Sequence, residues 1–204
     1  MKTKILTFTA FFSIFITFAY SQNSDYPYLL PVKQGQIVKA FGIGSNVENE
    51  PRSISFKYID TDTIYAIRSG KIINDGNKEG HSYTMEGDKL IKEKTKDCQI
   101  LVKQKDDTYL HYICIPEAKS LVKKGDRLIA GQPIAVFSKK TDMNSVGFYL
   151  FKLNNNQRKT LVPKFYTEEG VINVEIGKHY TGITPPEIIS KELSKKEKKK
   201  LNFK

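Results

Sequence analysis

Three histidines, His81, His111 and His179, and two cysteines, Cys98 and Cys114, have the widest chemical range in this chain. A catalytic zinc needs three protein ligands and a fourth position open to water, whose pKa it lowers for attack on a carbonyl. The histidines are scattered, and the carboxylates that could join them, Asp60, Asp62, Asp75 and Glu86, are of a kind most soluble chains carry on their surfaces. Only the fold could assemble such a set, with His81 in a polar, Gly-rich stretch and His179 far downstream. There is no Gly-x-Ser-x-Gly elbow and no phosphate loop, and no serine has a sequence-level link to a histidine base. His111 reads either as a solitary imidazole acid–base group or as a hydrogen-bonded strand residue beside Tyr109 and Tyr112.

The cysteines suggest a cross-link. Cys98 to Gln104 reads as a strand, Lys105-Asp106-Asp107 as a turn, and Thr108 to Cys114 as the return strand. A hairpin centred on Asp106 sets Cys98 opposite Cys114, and cross-strand Cβ atoms about 4.5–5.5 Å apart are near disulfide range. A Cys–Cys metal pair is the rival, but it lacks two further ligands at suitable spacing.

The elements around these residues are short strands with turn signals. Strands are expected at Gln36–Phe41, Ser53–Ile59, Thr63–Ile67 with Lys71–Ile73, Leu128–Ile129, Pro133–Phe137 and Val146–Leu153. Residues 74–97 are polar and Gly-rich, with weak strand character near Ser82–Met85 and Lys89–Ile91. Nothing has sustained helical period, so an all-β antiparallel sandwich or barrel-like domain is expected. It should occupy residues 22–153, followed by an extension over 154–188 of one or two strands. The last segment, 189–204, is Lys-rich. Lys191 to Lys204 holds seven Lys and two Glu with no apolar face, and reads as a solvated, fraying tail or helix. A second reading makes it a weak tether to an anionic surface.

Residues 1–21 read as a secretory signal. Lys2 and Lys4 precede an apolar run from Ile5 to Ala19, and Ala19-Tyr20-Ser21 supplies small residues for cleavage. The run is short for a membrane span, so no span is expected after cleavage. Export to the bacterial cell envelope, secreted or periplasmic, also suits a disulfide. Cleavage removes two of 33 basic residues, leaving 31 against 22 acidic ones and a net charge of +9. Anionic envelope polymers are natural partners for such a chain, and nucleic acid is not expected in that compartment.

Three stretches together resemble the lysostaphin-type, LytM-like zinc endopeptidases that cut peptidoglycan cross-bridges. Pro31 to Gly42 is similar to the family's opening strand ending in Phe-Gly. Ile64-Tyr65-Ala66-Ile67-Arg68-Ser69-Gly70-Lys71-Ile72 resembles its V-Y-A-x-x-x-G-x-V turn. Tyr109-Leu110-His111-Tyr112, followed by Leu121 to Ala135, is similar to its Y-x-H-L strand and its V-x-x-G-x-x-V-x-x-G-Q-x-I hairpin. In that hairpin Gly125 and Gly131 supply turn geometry, and Leu121, Leu128 and Ile134 are spaced to point into one core. The resemblance covers roughly residues 31–153 and implies a duplicated hybrid motif of LytM-like form.

The resemblance also implies a zinc site whose ligands this chain lacks. The family's His-x-x-x-Asp segment falls near Glu50–Phe56, with Pro51 at the ligand His and Ser55 at the ligand Asp. Its His-x-His strand falls on Phe148 to Phe151, with Phe148 at a catalytic His and Leu150 at a ligand. His111 stands at the position of the other catalytic His. The expectation is a non-catalytic domain with no cofactor, whose groove, lined by Arg52, Tyr109, Phe148 and Tyr149, binds cell-wall peptide or a cell-wall enzyme. The alternative is an active zinc endopeptidase with a rearranged site drawing on His81, His111, His179 and the carboxylates.

Overall fold

A computed structural model describes residues 26–43, 53–86, 89–116, 118–138, 144–155 and 157–202, with only the backbone course at 43, 76–86, 89–97 and 114–116. The proposed signal, Pro51 and Arg52, and the side chains of His81, Glu86 and Cys114 lie outside the described residues. The strands are β1 (Ile37–Ile43), β2 (Ser53–Tyr58), β3 (Thr63–Tyr65), β4 (Gly70–Glu86), β5 (Lys89–Lys103), β6 (Thr108–Pro116), β7 (Ala118–Ser120), β8 (Arg127–Leu128), β9 (Pro133–Phe137), β10 (Ser145–Asn154), β11 (Gln157–Leu161), β12 (Phe165–Thr167), β13 (Gly170–Ile172) and β14 (His179–Thr181). Two short helices follow, α1 (Pro186–Lys191) and α2 (Lys195–Lys200).

The fold is all-β and antiparallel. A large open sheet runs β14-β1-β2-β10-β6-β5-β4-β8, with β11 also paired to β10. A smaller sheet, β3-β9-β7, packs across it, and Tyr58 of the first meets Phe137 of the second edge to face at 5.3 Å. Between them lie Val38, Phe56, Ile72, Ile100, Leu110, Tyr112, Val146, Phe148 and Leu150 from the large sheet and Ile64, Ile134 and Ala135 from the small one. The pleat explains this set, because residues two apart share a face.

The β5–β6 register is the one a turn centred on Asp106 requires. Gln99 pairs with Ile113, Ile100 with Tyr112 and Lys103 with Tyr109. A bulge between Asp97 and Gln99 interrupts it, so Cys98, fully buried, stands against both Cys114 and Ile115 of the partner strand. The polar stretch 74–97 is not a loop: β4 and β5 stay paired from Lys71–Lys103 out to Glu86–Lys89. The pairing is a run of antiparallel main-chain hydrogen bonds, which hydropathy does not register.

Gly125 and Gly131 occupy positive φ, 96° and 80°, and donate their N–H groups to Ile72 O and Ala66 O. Leu128 and Ile134 are buried as expected, but Leu121 is half-exposed and Val122 turns inward in its place. Ser120 Oγ donates to Val122 O and accepts from Val122 N–H, a local turn that resets which side chain faces the core.

The C-terminal segments are integral to the domain. Phe165 of β12 is fully buried against Phe56 at 5.1 Å, Tyr28 forms a parallel bridge with Phe165, and β14 pairs with β1. The Lys-rich segment is anchored at its start, and its lysines lie on a solvated helix, one of the two expected forms, with no buried residue. Glu192 and Leu193 are buried, and a capping box between Ser194 and Glu197 starts α2. The two acids and one Leu among the lysines provide what a count of charges misses. No helix among the described residues is long and apolar enough to cross a membrane.

Candidate functional site

The pleat of β10 divides its residues between two faces. Phe148 pairs with Tyr112 and Ile54, and its ring packs edge-on against Phe56 at 5.8 Å and Tyr112 at 5.3 Å. Leu150 pairs with Leu110, and both are buried. Phe148 and Leu150 are therefore core residues and do not line a groove. The opposite face carries Gly147, Tyr149 and Phe151, which pair with Ile113, His111 and Tyr109. Ser55 belongs to this same face, since it pairs with Gly147. A Cβ on Gly147 would lie 3.2 Å from Ser55 Oγ.

The face thus brings together Ser55, His111, Tyr149 and Tyr109. His111, Tyr149 and Tyr109 are half-buried, while Ser55 is fully buried at one end and its hydroxyl meets no hydrogen-bond partner among the described residues. Tyr109 stacks on Phe151 with centroids 5.3 Å apart and planes 10° from parallel. Lys103 Nζ lies over the Tyr109 ring at 5.9 Å and the Arg158 guanidinium over Phe151 at 4.9 Å. Four adjacent strands so present a cation–aromatic–aromatic–cation ladder beside His111.

The donors on this face do not suit zinc. A neutral hydroxyl, a glycine, a phenol and a single imidazole do not make the three ligands a catalytic site needs. No three His, Cys, Asp or Glu side chains converge on a common point among the described residues. His179, on edge strand β14 and paired to Lys39, is exposed and remote in register from His111.

A second polar centre was not foreseen. Arg68, 3% exposed, donates through Nε and Nη2 to Glu192 Oε1 at 2.9 and 2.7 Å. It pairs through Nη1 with Asp106 at 3.0 Å, donates to Tyr28 Oη at 3.0 Å and to Gln104 Oε1 at 3.3 Å, and lies over the Tyr26 ring at 4.4 Å. Burial alone would lower the pKa of the guanidinium, but Tyr28, Glu192 and Asp106 outweigh it and hold Arg68 charged. The Tyr26 phenol is pushed up, first by burial and then by Glu192. Burial works against ionised Asp106 too, but the Thr108 hydroxyl and Arg68 bring its pKa below the ordinary value. The only sequence signal was one arginine inside an otherwise small and apolar turn, Tyr65 to Gly70.

No known protein family matches the chain by sequence, and no curated protein does. Among solved structures, it is similar to the solution structure of lysostaphin at 20% identity and TM-score 0.38, over 60% of this chain and 48% of that one, so it spans about half that protein's length. It is similar to the catalytic domain of the antimicrobial peptidase lysostaphin from Staphylococcus simulans at 21% identity and TM-score 0.38, over 63% and 87% of the two chains. It is also similar to a chain of the SpoIIIAH–SpoIIQ complex at 16% identity and TM-score 0.41, over 65% and 96%. Lysostaphin is the protein whose family the three sequence stretches resemble.

Proposed function

We propose that this chain is an exported, non-catalytic domain of LytM-like form that binds cell-wall peptide or a partner protein on the sheet face carrying His111, Tyr149 and Tyr109, and so takes part in peptidoglycan remodelling. What carries the reading is the residue set on that face. It carries one imidazole, the half-buried rings of Tyr109 and Tyr149, and a Tyr109–Phe151 stack flanked by Lys103 and Arg158, and among the described residues no three metal-ligating side chains converge there. Aromatic rings beside cations suit peptide recognition, since they offer contact area at low entropic cost and attract carboxylates. Export also predicts that Cys98 and Cys114 are joined in the oxidised protein, a reading supported by their positions across the β5–β6 ladder.

The test is equilibrium binding of the mature chain to purified peptidoglycan and to soluble cross-bridge peptides at low salt, with elemental analysis for zinc on the same sample. Binding is expected, weakened about tenfold by Tyr149→Ala and by His111→Ala, which matches one lost contact of ordinary strength. Failure of the wild-type chain to bind either material would remove the cell-wall reading. Stoichiometric zinc with chelator-sensitive cleavage would replace it with a peptidase.

A further inference from the structure

We propose that docking of the C-terminal segment on Arg68 sets the position of Lys103 and Tyr109, so that residues 186–202 regulate the sheet face carrying His111. The regulatory meaning rests on the reading of that face as a binding surface, while the mechanical link stands on the contacts around Arg68. The segment has few ties to the sheet. Helices α1 and α2 bury none of their residues. Between and beside them, Glu192 meets Arg68, Leu193 is buried, Tyr26 Oη donates to Ile188 O at 2.6 Å, and Arg127 Nη2 donates to Glu192 O at 3.3 Å. No strand pairs with this segment among the described residues. An element held by a few side chains opens locally at less cost than a strand inside a sheet.

The same guanidinium holds the turn joining β5 to β6. Glu192 takes Nε and Nη2, while Nη1 lies 3.0 Å from Asp106 Oδ2 and donates to Gln104 Oε1 at 3.3 Å. Asp106 Oδ1 accepts from the Thr108 N–H at 3.3 Å, and the Thr108 hydroxyl lies within hydrogen-bond distance of both Asp106 Oδ1 and Gln104 Oε1. Asp107, next in the chain, sits at a φ of 60°, a left-handed conformation that Asp reaches but that costs more than an extended one. Its carboxylate meets Lys103 Nζ at 2.9 Å, and that ammonium lies 5.9 Å from the centre of the Tyr109 ring. The two acids of the turn therefore face two ways, Asp106 to the arginine that holds the segment and Asp107 to the cation over Tyr109. One guanidinium shared by two carboxylates cannot serve them independently. When Glu192 leaves, Nε and Nη2 lose their acceptor, and the guanidinium turns toward Asp106, the carboxylate that remains beside it. Asp106 carries its Thr108 bonds with it, and the shift of the turn moves Lys103 and Tyr109. Docked segment and released segment so favour two settings of one turn, which is what coupling between sites requires.

The experiment is amide spectra and hydrogen-exchange rates of the whole mature chain, comparing Glu192→Gln, Asp106→Asn and Glu197→Gln with wild type, and then the affinity of each for soluble cross-bridge peptides. Glu192→Gln is expected to shift the amides of residues 104–109 as well as those of its own segment. Asp106→Asn is expected to speed exchange at residues 187–193 about tenfold, an ordinary scale for linked sites, with the amides of β2 unchanged as the mark of an intact sheet. The double variant should exchange there no faster than Glu192→Gln alone, because both changes break one network. Glu197→Gln, whose Arg127 partner lies at the surface, should move no amide of the turn. Shifts confined to residues 186–202 in Glu192→Gln, or unchanged exchange at 187–193 in Asp106→Asn, would overturn the proposal. Peptide affinity should fall about fivefold or more in Glu192→Gln, and an unchanged affinity beside shifted turn amides would overturn the regulatory role. A wild-type chain that binds no peptide would sink the reading of the His111 face, while the spectra still decide whether segment and turn are linked.

Discussion

Glu192→Ala is expected to destabilise the domain by about 3 kcal/mol. Both partners of the Arg68–Glu192 pair are buried, with side chains 3% and 7% exposed. The substitution removes two charge-assisted hydrogen bonds, at 2.9 and 2.7 Å, each worth roughly 1.5–3 kcal/mol. It also leaves a guanidinium that cannot shed its charge, and breaking a buried pair from one side typically costs about 3–5 kcal/mol. Asp106, Tyr28 and Gln104 remain to hold Arg68, so the low end of that range applies. For a chain of this size that is a fall in Tm of about 6–12 °C, read by circular dichroism and by urea melts with unchanged m. Glu197→Ala is the control, because its bond to Arg127 and its capping-box bond to the Ser194 N–H both lie at the surface and together should count for about 1–2 kcal/mol. Arg68→Met with Glu192→Leu should lose less than the two single losses added, since no buried charge is left behind. A Glu192→Ala loss no larger than that of Glu197→Ala would refute the claim that the C-terminal segment is held by a buried ion pair.

Acid should loosen the same segment. The Ser194 backbone and side chain, and then Arg127, pull the Glu197 pKa down to about 2, and Asp106 is lowered as well. A depressed folded-state pKa gives stability that is present above the unfolded value and lost as pH falls through the folded one. Hydrogen-exchange protection of residues 192–202 should therefore hold at pH 5 and decline between about pH 4 and 2, and a decline already complete at pH 5 would contradict it. Gly70→Ala should cost about 1–3 kcal/mol in a urea melt, since a Cβ there would collide with Val102 Cγ1 and sit 2.7 Å from the Lys103 carbonyl oxygen. Ser55→Ala should leave stability within about 1 kcal/mol of wild type or raise it, because the buried hydroxyl has no partner among the described residues to lose. A large loss would mean that the hydroxyl is bonded in solution.

Period-two alternation carried most of the fold from sequence. Ser53–Ile59, Pro133–Phe137 and Val146–Leu153 are strands within a residue or two of the expected bounds, and the turn at Asp106 fixes the β5–β6 register. The misses have physical causes. Residues 74–97 form a ribbon paired through main-chain bonds, which hydropathy alternation does not register. Leu121 and Val122 exchange roles because Ser120 bonds to the next turn's backbone. Phe165 and Tyr180 looked like residues of an appendage but fill the same core as Phe56, and chain order says nothing about such long-range packing.

The same alternation bears on the site. Matching Phe148 and Leu150 to a His-x-His pair puts both on the face that packs against Phe56, Tyr112 and Leu110, where no ligand could reach a metal shared with His111. A strand has two faces, so any donors acting with His111 and Ser55 must stand at positions 147 and 149. Those positions hold Gly147 and Tyr149. A one-residue change of register keeps the likeness of the strand, with Phe148 and Leu150 as its apolar inward residues, and still finds no imidazole on the outward side. The absence of a His-x-His pair therefore does not depend on how the strand is aligned, whereas the identity of the groove residues does. Arg68 follows the opposite logic: its partners come from residues 26–28, 104–106 and 192, and three segments so far apart in the chain become one centre only after the sheet and the C-terminal segment have closed around it.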